Sequence, residues 1–406
     1  MRRLVALTST IIAVDAMLFT ALAPLIPGYA AEFDLSKTGA GLLVGAFGAG
    51  ALIGGVTSGF AATKYGPKPL VVVGLCVLAL ASFSFAFAGG AWTLGISRFV
   101  QGLSSTCTWA GALAWVTMRA PAGRRGEIIG LVFGFAVAGA IAGPMFGAVA
   151  HAIGIRVSFA TIGVVALGMA AVAARSQAGP KESHQPGAFG RALHDPRYVG
   201  ALWFNALPAL LFGIAGVLVP LDLAADGFST LEIGLVFFGA GLLEVVLNPI
   251  IGKISDRRGP LGLVRAGLAG SAVMCLLLAA VGSAAALTAV YVVASLAFGS
   301  FYTPSMALGS AQATRAGLAQ GLAFGTMNSA WAAGELVGPS AGGRLADIAG
   351  DPTAWIAVTV LCIATLVVTE VMRMRPLGGR RRPIYAASSS AGKRSSAQRE
   401  SSSGRR

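Results

Sequence analysis

The chain has 406 residues, of which 55% are hydrophobic and only 11% charged, and its mean hydropathy is +0.76. That is too apolar for a soluble globule and matches a protein that buries most of its length in a bilayer. The net charge of +14 would suit a nucleic-acid binder, but the basic residues fall unevenly between apolar runs, which instead orients a membrane protein.

Apolar runs long enough to cross a bilayer recur twelve times, at roughly 4–27, 38–62, 69–88, 91–118, 126–150, 155–174, 198–221, 231–251, 262–281, 284–310, 318–343 and 353–372. The first, MRRLVALTSTIIAVDAMLFTALA, has the outline of a signal peptide with Ala21-Leu22-Ala23 as its cleavage site. Asp15 interrupts it and eleven further runs follow, so it is expected to remain as the first helix. Asp15 then lies about eleven residues, or ~16 Å, from the start of the span, near the midplane. A carboxyl at that depth can alternate between protonated and charged forms, and the alternative is a structural hydrogen-bonding role.

In the second run, GAFGAGALIGG (45–55) has the glycine density of a phosphate-binding loop. No strand precedes it and no Gly-Lys-Ser/Thr follows, so close helix packing is expected. The loop after it, GFAATKYGPK, carries Gly59, Lys64 and Gly66. In the fourth run Arg98, Gln101, Ser105 and Thr108 share one helical face. A lone arginine in a membrane span is costly and points to function, although carbonyls can also satisfy a packing arginine.

The fifth run contains AGAIAGPMFGA, with Gly130, Gly139, Gly143, Pro144 and Gly147 spaced G-x8-G-x3-G-P-x2-G and Ala148 following. The eleventh repeats the spacing with Gly325, Gly334, Gly338, Pro339, Gly342 and Gly343. Small residues three or four apart form a groove for another helix backbone, and proline adds a kink that neighbouring helices must re-satisfy. Asn328, Trp331 and Glu335 share a face in the same run, where a carboxylate one turn from an indole can hold an organic cation. Glu244, with Asn248 one turn on, is either a coupling acid or a protonated acid bracing the contact between halves. Asn205 and Tyr302 are candidate cavity-lining groups. The loop after the eighth run, GKISDRRG, carries Gly252, Asp256, Arg257 and Gly259.

The four cysteines, Cys76, Cys107, Cys275 and Cys362, each fall within a run without a CxxC pair and read as small packing residues. His151, His184 and His194 have no metal-ligand spacing, so neither a metal site nor an enzyme is expected.

Of the thirty Lys and Arg, only Lys37, Arg156 and Arg344 fall on the side opposite the termini, and Arg98 is within a span. This asymmetry predicts that both termini are cytoplasmic. The polar stretch 175–197 divides the runs six and six, and from 373 the chain is a Ser/Arg/Gly-rich tail expected to be disordered near the anionic leaflet. The halves also repeat. LIPGYAAEFDLSKTGAGL (25–42) overlays LVPLDLAADGFSTLEIGL (218–235), matching Pro27 to Pro220, Ser36 to Ser229 and Gly41 to Gly234 at a constant separation of 193 residues. Parallel six-span repeats are one way transporters build a midplane cavity that opens alternately to either side.

These segments resemble the major facilitator superfamily, most closely its twelve-span drug:proton antiporter branch, over nearly all of residues 1–372. The family's loop pattern G-x-x-x-D-R-x-G-R-K is matched by Gly252, Asp256, Arg257 and Gly259. The first-half copy keeps Gly59 and Gly66 but has Thr63 and Lys64 in place of the Asp-Arg pair. The R-x-x-Q-G pattern is matched by Arg98, Gln101 and Gly102. In the family the fifth-span Gly-Pro pattern marks antiporters and lies at the contact between halves, which implies a dry hinge. Asp15 stands where the antiporters and the related vesicular monoamine transporters carry an acid. Asn328 and Tyr302 stand where the latter have acids this chain lacks.

The resemblance implies an all-α membrane protein with twelve transmembrane helices in two pseudo-symmetric six-helix bundles. These would be residues 1–174 and 198–372, with a linker at 175–197 and a tail at 373–406. It implies proton-coupled efflux of a small organic compound such as a drug or secondary metabolite. Asp15, Arg98, Glu335 and Glu244 would serve coupling or substrate, and Gln101, Asn205, Tyr302, Asn328 and Trp331 would line the cavity. The expected partners are protons, substrate and lipid, without cofactor, metal or nucleic acid, for a monomer in the cytoplasmic membrane. A proton-coupled importer on the same fold, and a non-transporting membrane sensor, are the rival readings.

Overall fold

The computed structural model describes residues 1–121, 125–178, 187–258, 260–318 and 320–374, and their regular structure is entirely helical. The helices are α1 (Arg2–Thr20), α2 (Ile26–Glu32), α3 (Lys37–Tyr65), α4 (Pro67–Ala86), α5 (Ala91–Arg119), α6 (Arg125–Ile153), α7 (Ile155–Arg175) and α8 (Ala188–His194). There follow α9 (Pro196–Ala225), α10 (Thr230–Arg258), α11 (Pro260–Ala280), α12 (Ala284–Ser300), α13 (Tyr302–Arg315), α14 (Gln320–Ala349) and α15 (Asp351–Met374). Met1–Leu366 forms one compact unit, and the chain from Val367 onward a second.

Ten segments of the described residues are long and apolar enough to cross a membrane, with α1–α2 and α12–α13 each counting as one. The expected twelve are reached only by adding α5 and α14, which are as long, at 29 and 30 residues, but more polar. A membrane helix bearing Arg98 or Glu335 is kept stable by facing protein rather than lipid. Both residues are buried.

Proline chemistry sets the breaks. Pro24 sits in a short 3-10 turn, Ala23–Leu25, between α1 and α2. Pro304 lacks the N–H that would bond the Ser300 carbonyl, and α12 ends at Ser300. The span read as continuous over 284–310 is therefore two helices meeting at Phe301. By contrast α6 runs on through Pro144, α9 through Pro208 and Pro220, and α14 through Pro339. Between α3 and α4, Gly66 adopts φ +91°, a left-handed value that side chains disfavour, and Pro67 opens the next helix.

The repeat is visible in the packing. On α6 a Cβ at Gly139, Gly143 or Gly147 would strike Ala13, Met17 and Thr20, or Ala21 of the first span. On α14 a Cβ at Gly334, Gly338 or Gly342 would strike Ala206, Leu210 or Ile214 of α9. Ala13, Met17 and Ala21 are each 193 residues before Ala206, Leu210 and Ile214, the separation seen in the sequence repeat.

The linker is less polar in structure than in sequence. Residues 179–186 lie outside the described set, but Ala188 and Ala192 of α8 are buried with Tyr198, Leu318 and Leu322. Phe189 meets the Phe60 ring of α3 at 5.5 Å. The tail from 375 is also outside the described residues.

Candidate functional site

Helices α1, α3, α5, α9 and α14 bring together the polar residues singled out above. Asp15 faces α5 and is 1% exposed. Its Oδ2 accepts from Ser105 Oγ at 2.6 Å and from Trp109 Nε1 at 2.8 Å, two donors one turn apart on α5. Its Oδ1 is buried without a partner. Buried polar atoms are nearly always satisfied, so an orphaned carboxylate oxygen marks a place for something else to bind.

Arg98 lies two turns before Ser105, ~10 Å along the helix. Its guanidinium donates to Gln101 Oε1 at 2.8 Å and to the carbonyls of Leu18 and Phe19 at 3.4 Å each. Those carbonyls belong to the last turn of α1, where the 3-10 break leaves acceptors exposed and the helix dipole is negative. The guanidinium also sits 5.0 Å above the Phe47 ring. Asp15 and Arg98 do not form an ion pair. The carboxylate goes to Ser105 and Trp109, the guanidinium to carbonyls and an aromatic face.

Phe47 belongs to an aromatic group drawn from three helices. Phe19 of α1 lies 4.8 Å from Phe47 of α3 and 5.1 Å from Trp331 of α14. One turn beyond Trp331, Glu335 is buried, with its carboxyl and the Pro339 ring in the space left by Gly213 of α9. Gly48 of α3 rests on the α14 backbone at the same level, against Ala332, Glu335 and Leu336. Asn328, on the same face of α14, is half-buried.

The remaining candidates are more dispersed. Asn205 Nδ2 donates to the Met327 carbonyl at 2.7 Å, clipping α9 to α14, while its Oδ1 is unpartnered. Tyr302 is half-buried at the start of α13. The Glu244 carboxyl packs against Gly299 and beside Ser295, both on α12 of its own half. Gly252, Asp256, Arg257 and Gly259 lie outside the residues whose side chains are described. Lys64, in the last turn of α3, lies over the Tyr65 ring at 5.1 Å. Gly59 approaches Gly325 of α14.

The glycine run of α3 packs helices on two sides. Gly41, Gly45, Gly48 and Gly55 meet α14, whereas Gly50 and Gly54 meet Phe99 and Thr106 of α5. The Gly-Pro motif of α6 divides its contacts. Gly139, Gly143 and Gly147 seat α1 of their own half, and Pro144, Ala148 and Ile141 meet Gly234 and Gly241 of α10 in the other half. Gly130 has nothing near it and takes no part in the groove. Cys275 and Cys362 are buried, as expected of packing residues, but Cys76 is exposed on α4.

One cluster was not anticipated. At the start of α3, Lys37 Nζ bridges Asp222 of α9 at 3.0 Å and Asp351 of α15 at 2.5 Å. The carboxylate of Asp347, on α14, accepts the backbone N–H of Lys37 at 3.1 Å and of Thr38 at 2.8 Å. Its only hint in the sequence was Lys37 as one of three basic residues on its side of the membrane.

The model of the Major Facilitator Superfamily matches this chain at residues 8–213 and again at 201–398. Multidrug resistance protein 1 of Bacillus subtilis (strain 168) is 26% identical over 348 residues, covering 84% of this chain and 89% of that one. Multidrug resistance protein 2 of the same organism is 23% identical over 343 residues, covering 80% and 84%. Among solved structures, a bacterial homolog of the human lysosomal transporter Spinster superimposes with a TM-score of 0.76 at 14% identity, covering 94% of this chain and 98% of that one.

Proposed function

We propose that this chain, which belongs to the major facilitator superfamily, exports a small organic compound such as a drug or secondary metabolite in exchange for inward-moving protons. It is a multi-pass membrane transporter and not an enzyme; the direction, the coupling and the substrate are the proposal. The observation that carries it is the Asp15 carboxyl, a buried acid with one oxygen held by two donors and the other without a partner. A proton can be taken up on Oδ1 without displacing Ser105 or Trp109, so the group can cycle while its orientation is kept.

In this reading the moving parts are residues 1–174 and 198–372, working as a monomer in the cytoplasmic membrane. Both termini are cytoplasmic and the Lys37 end faces outward, as the charge asymmetry suggests. The Phe19, Phe47 and Trp331 rings offer an apolar platform to the organic substrate, with Glu335 one turn away for a positive group. Arg98 holds the end of α1 in place and lends the region a fixed positive charge. Protonation of Asp15 from outside lowers the local negative charge and weakens the hold on a cationic substrate, releasing it outward; loss of the proton inward resets the site. The similarity to two multidrug resistance proteins, over 80% and 84% of this chain, favours export over import.

The test is transport in proteoliposomes under an imposed pH gradient, with ethidium as the first probe and compounds from a growth-inhibition screen after it. Asp15→Asn is expected to abolish gradient-driven movement and Asp15→Glu to retain part of it. Undiminished coupled transport by Asp15→Asn would give the acid a purely structural role.

A further inference from the structure

The cluster at the head of α3 joins the two halves through more than a surface ion pair. Helix α3 begins with Ser36, whose Oγ accepts from Gly39 N at 3.3 Å. That leaves the N–H groups of Lys37 and Thr38 without helical acceptors, as at any helix start. Both are taken by Asp347 from α14, one by each carboxylate oxygen, and Thr38 Oγ1 adds a third bond at 2.5 Å. The negative charge also meets the positive end of the α3 dipole. The cap of a first-half helix is thus supplied by the second half. Lys37 itself reaches past this cap to Asp222 and Asp351, on two further second-half helices.

Isolated exposed ion pairs contribute little. Here three carboxylates from α9, α14 and α15 converge on two consecutive residues, and the bonds are lost together if the halves part at this end. Below the cluster α3 continues in direct contact with α14, through Gly41 against Pro339 and Gly45 against Ser340. The cluster therefore closes the top of a continuous seam.

We propose that Lys37 and Asp347 form the latch of the outer gate, holding the Lys37 end of the transporter shut until the halves rotate. The proposal rests on the alternating-access reading above, but not on its substrate, its direction or Asp15. Release must strip the cap from α3 and separate Lys37 from both aspartates in one event, which makes outward opening a discrete step.

The experiment uses the full-length protein in proteoliposomes with Ser340→Cys, a conservative change in the seam about two turns below the latch. Its modification by a membrane-impermeant maleimide is followed by mass spectrometry at that residue. Asp347→Ala is expected to speed labelling about fivefold, the effect of losing one helix cap, and Lys37→Ala, which keeps the capped N–H but loses both ion pairs, by about twofold to fivefold. Asp347→Asn is expected to fall between the parent and Asp347→Ala, because its single amide oxygen can accept only one of the two backbone N–H groups. Parent-like labelling in both alanine variants would overturn the latch, and Asp347→Asn labelling as fast as Asp347→Ala would overturn the role of the cap. Since neither substrate nor gradient is present, failure here is separable from failure of the proposed transport.

Discussion

Thr20 Oγ1 on α1 donates a 2.7 Å hydrogen bond to the carbonyl of Ala140 on α6. Ala140 is four residues before Pro144, so its carbonyl is the one that proline leaves without a helical donor. The sequence expectation was that a neighbouring helix must meet this need, and Thr20 identifies which. Replacing Thr20 by Val leaves that acceptor buried and unmatched, at a cost of about 1–3 kcal/mol. Thermal unfolding in detergent should show the loss, with Thr20→Ser close to the parent. In a Pro144→Ala background, where the N–H returns, Thr20→Val should cost measurably less.

The small residues of α6 should divide sharply. Gly139→Ala and Gly143→Ala place a methyl group on the α1 backbone and are expected to destabilise by about 1–3 kcal/mol and to reduce transport. Gly130→Ala meets nothing and should be neutral, or stabilising by up to about 1 kcal/mol through helix propensity. Thermal unfolding and transport rates on the three variants check this. Equal behaviour would remove the groove from the account of the motif.

Arg98→Lys keeps the charge but loses the planar fork that spans Gln101 and two carbonyls of α1. Transport is expected to fall at least about tenfold, the equivalent of one charge-assisted hydrogen bond, while the protein still folds. Initial rates at matched membrane expression provide the measurement.

Trp331 closes the aromatic group against Phe19 and Phe47. Trp331→Ala should raise the KM for an aromatic substrate by about threefold to tenfold, with a smaller effect on kcat, whereas Trp331→Phe should keep most of the affinity. A change confined to kcat would assign the indole to the motion of the halves.

Much of this architecture was legible because membrane spans announce themselves one at a time. Run length and apolarity pointed to twelve segments, ten of which are long and apolar enough in the described structure, α5 and α14 being more polar. Asp15 and Arg98 stood out because charge is rare in such runs. What each would touch was not legible: helical spacing put Ser105 on the Arg98 face of α5, yet that serine serves Asp15 on α1. Glu244 shows the same gap, since its position fixed its depth but not whether it turned toward α12 or the other half. The Lys37 cluster was least accessible, because its partners are 185, 310 and 314 residues away and look like ordinary loop acids. The break at Phe301 was not legible from Pro304 alone, because α6, α9 and α14 run on through their prolines.

One last consequence concerns α3, whose main chain lies bare against α14 on one side and α5 on the other. With glycines on its own side of these contacts, and Thr106, Ser329 and Ser340 among the few side chains reaching in from its neighbours, α3 has little room to roll without displacing them. Bulk added to either flank is therefore expected to force these helices apart.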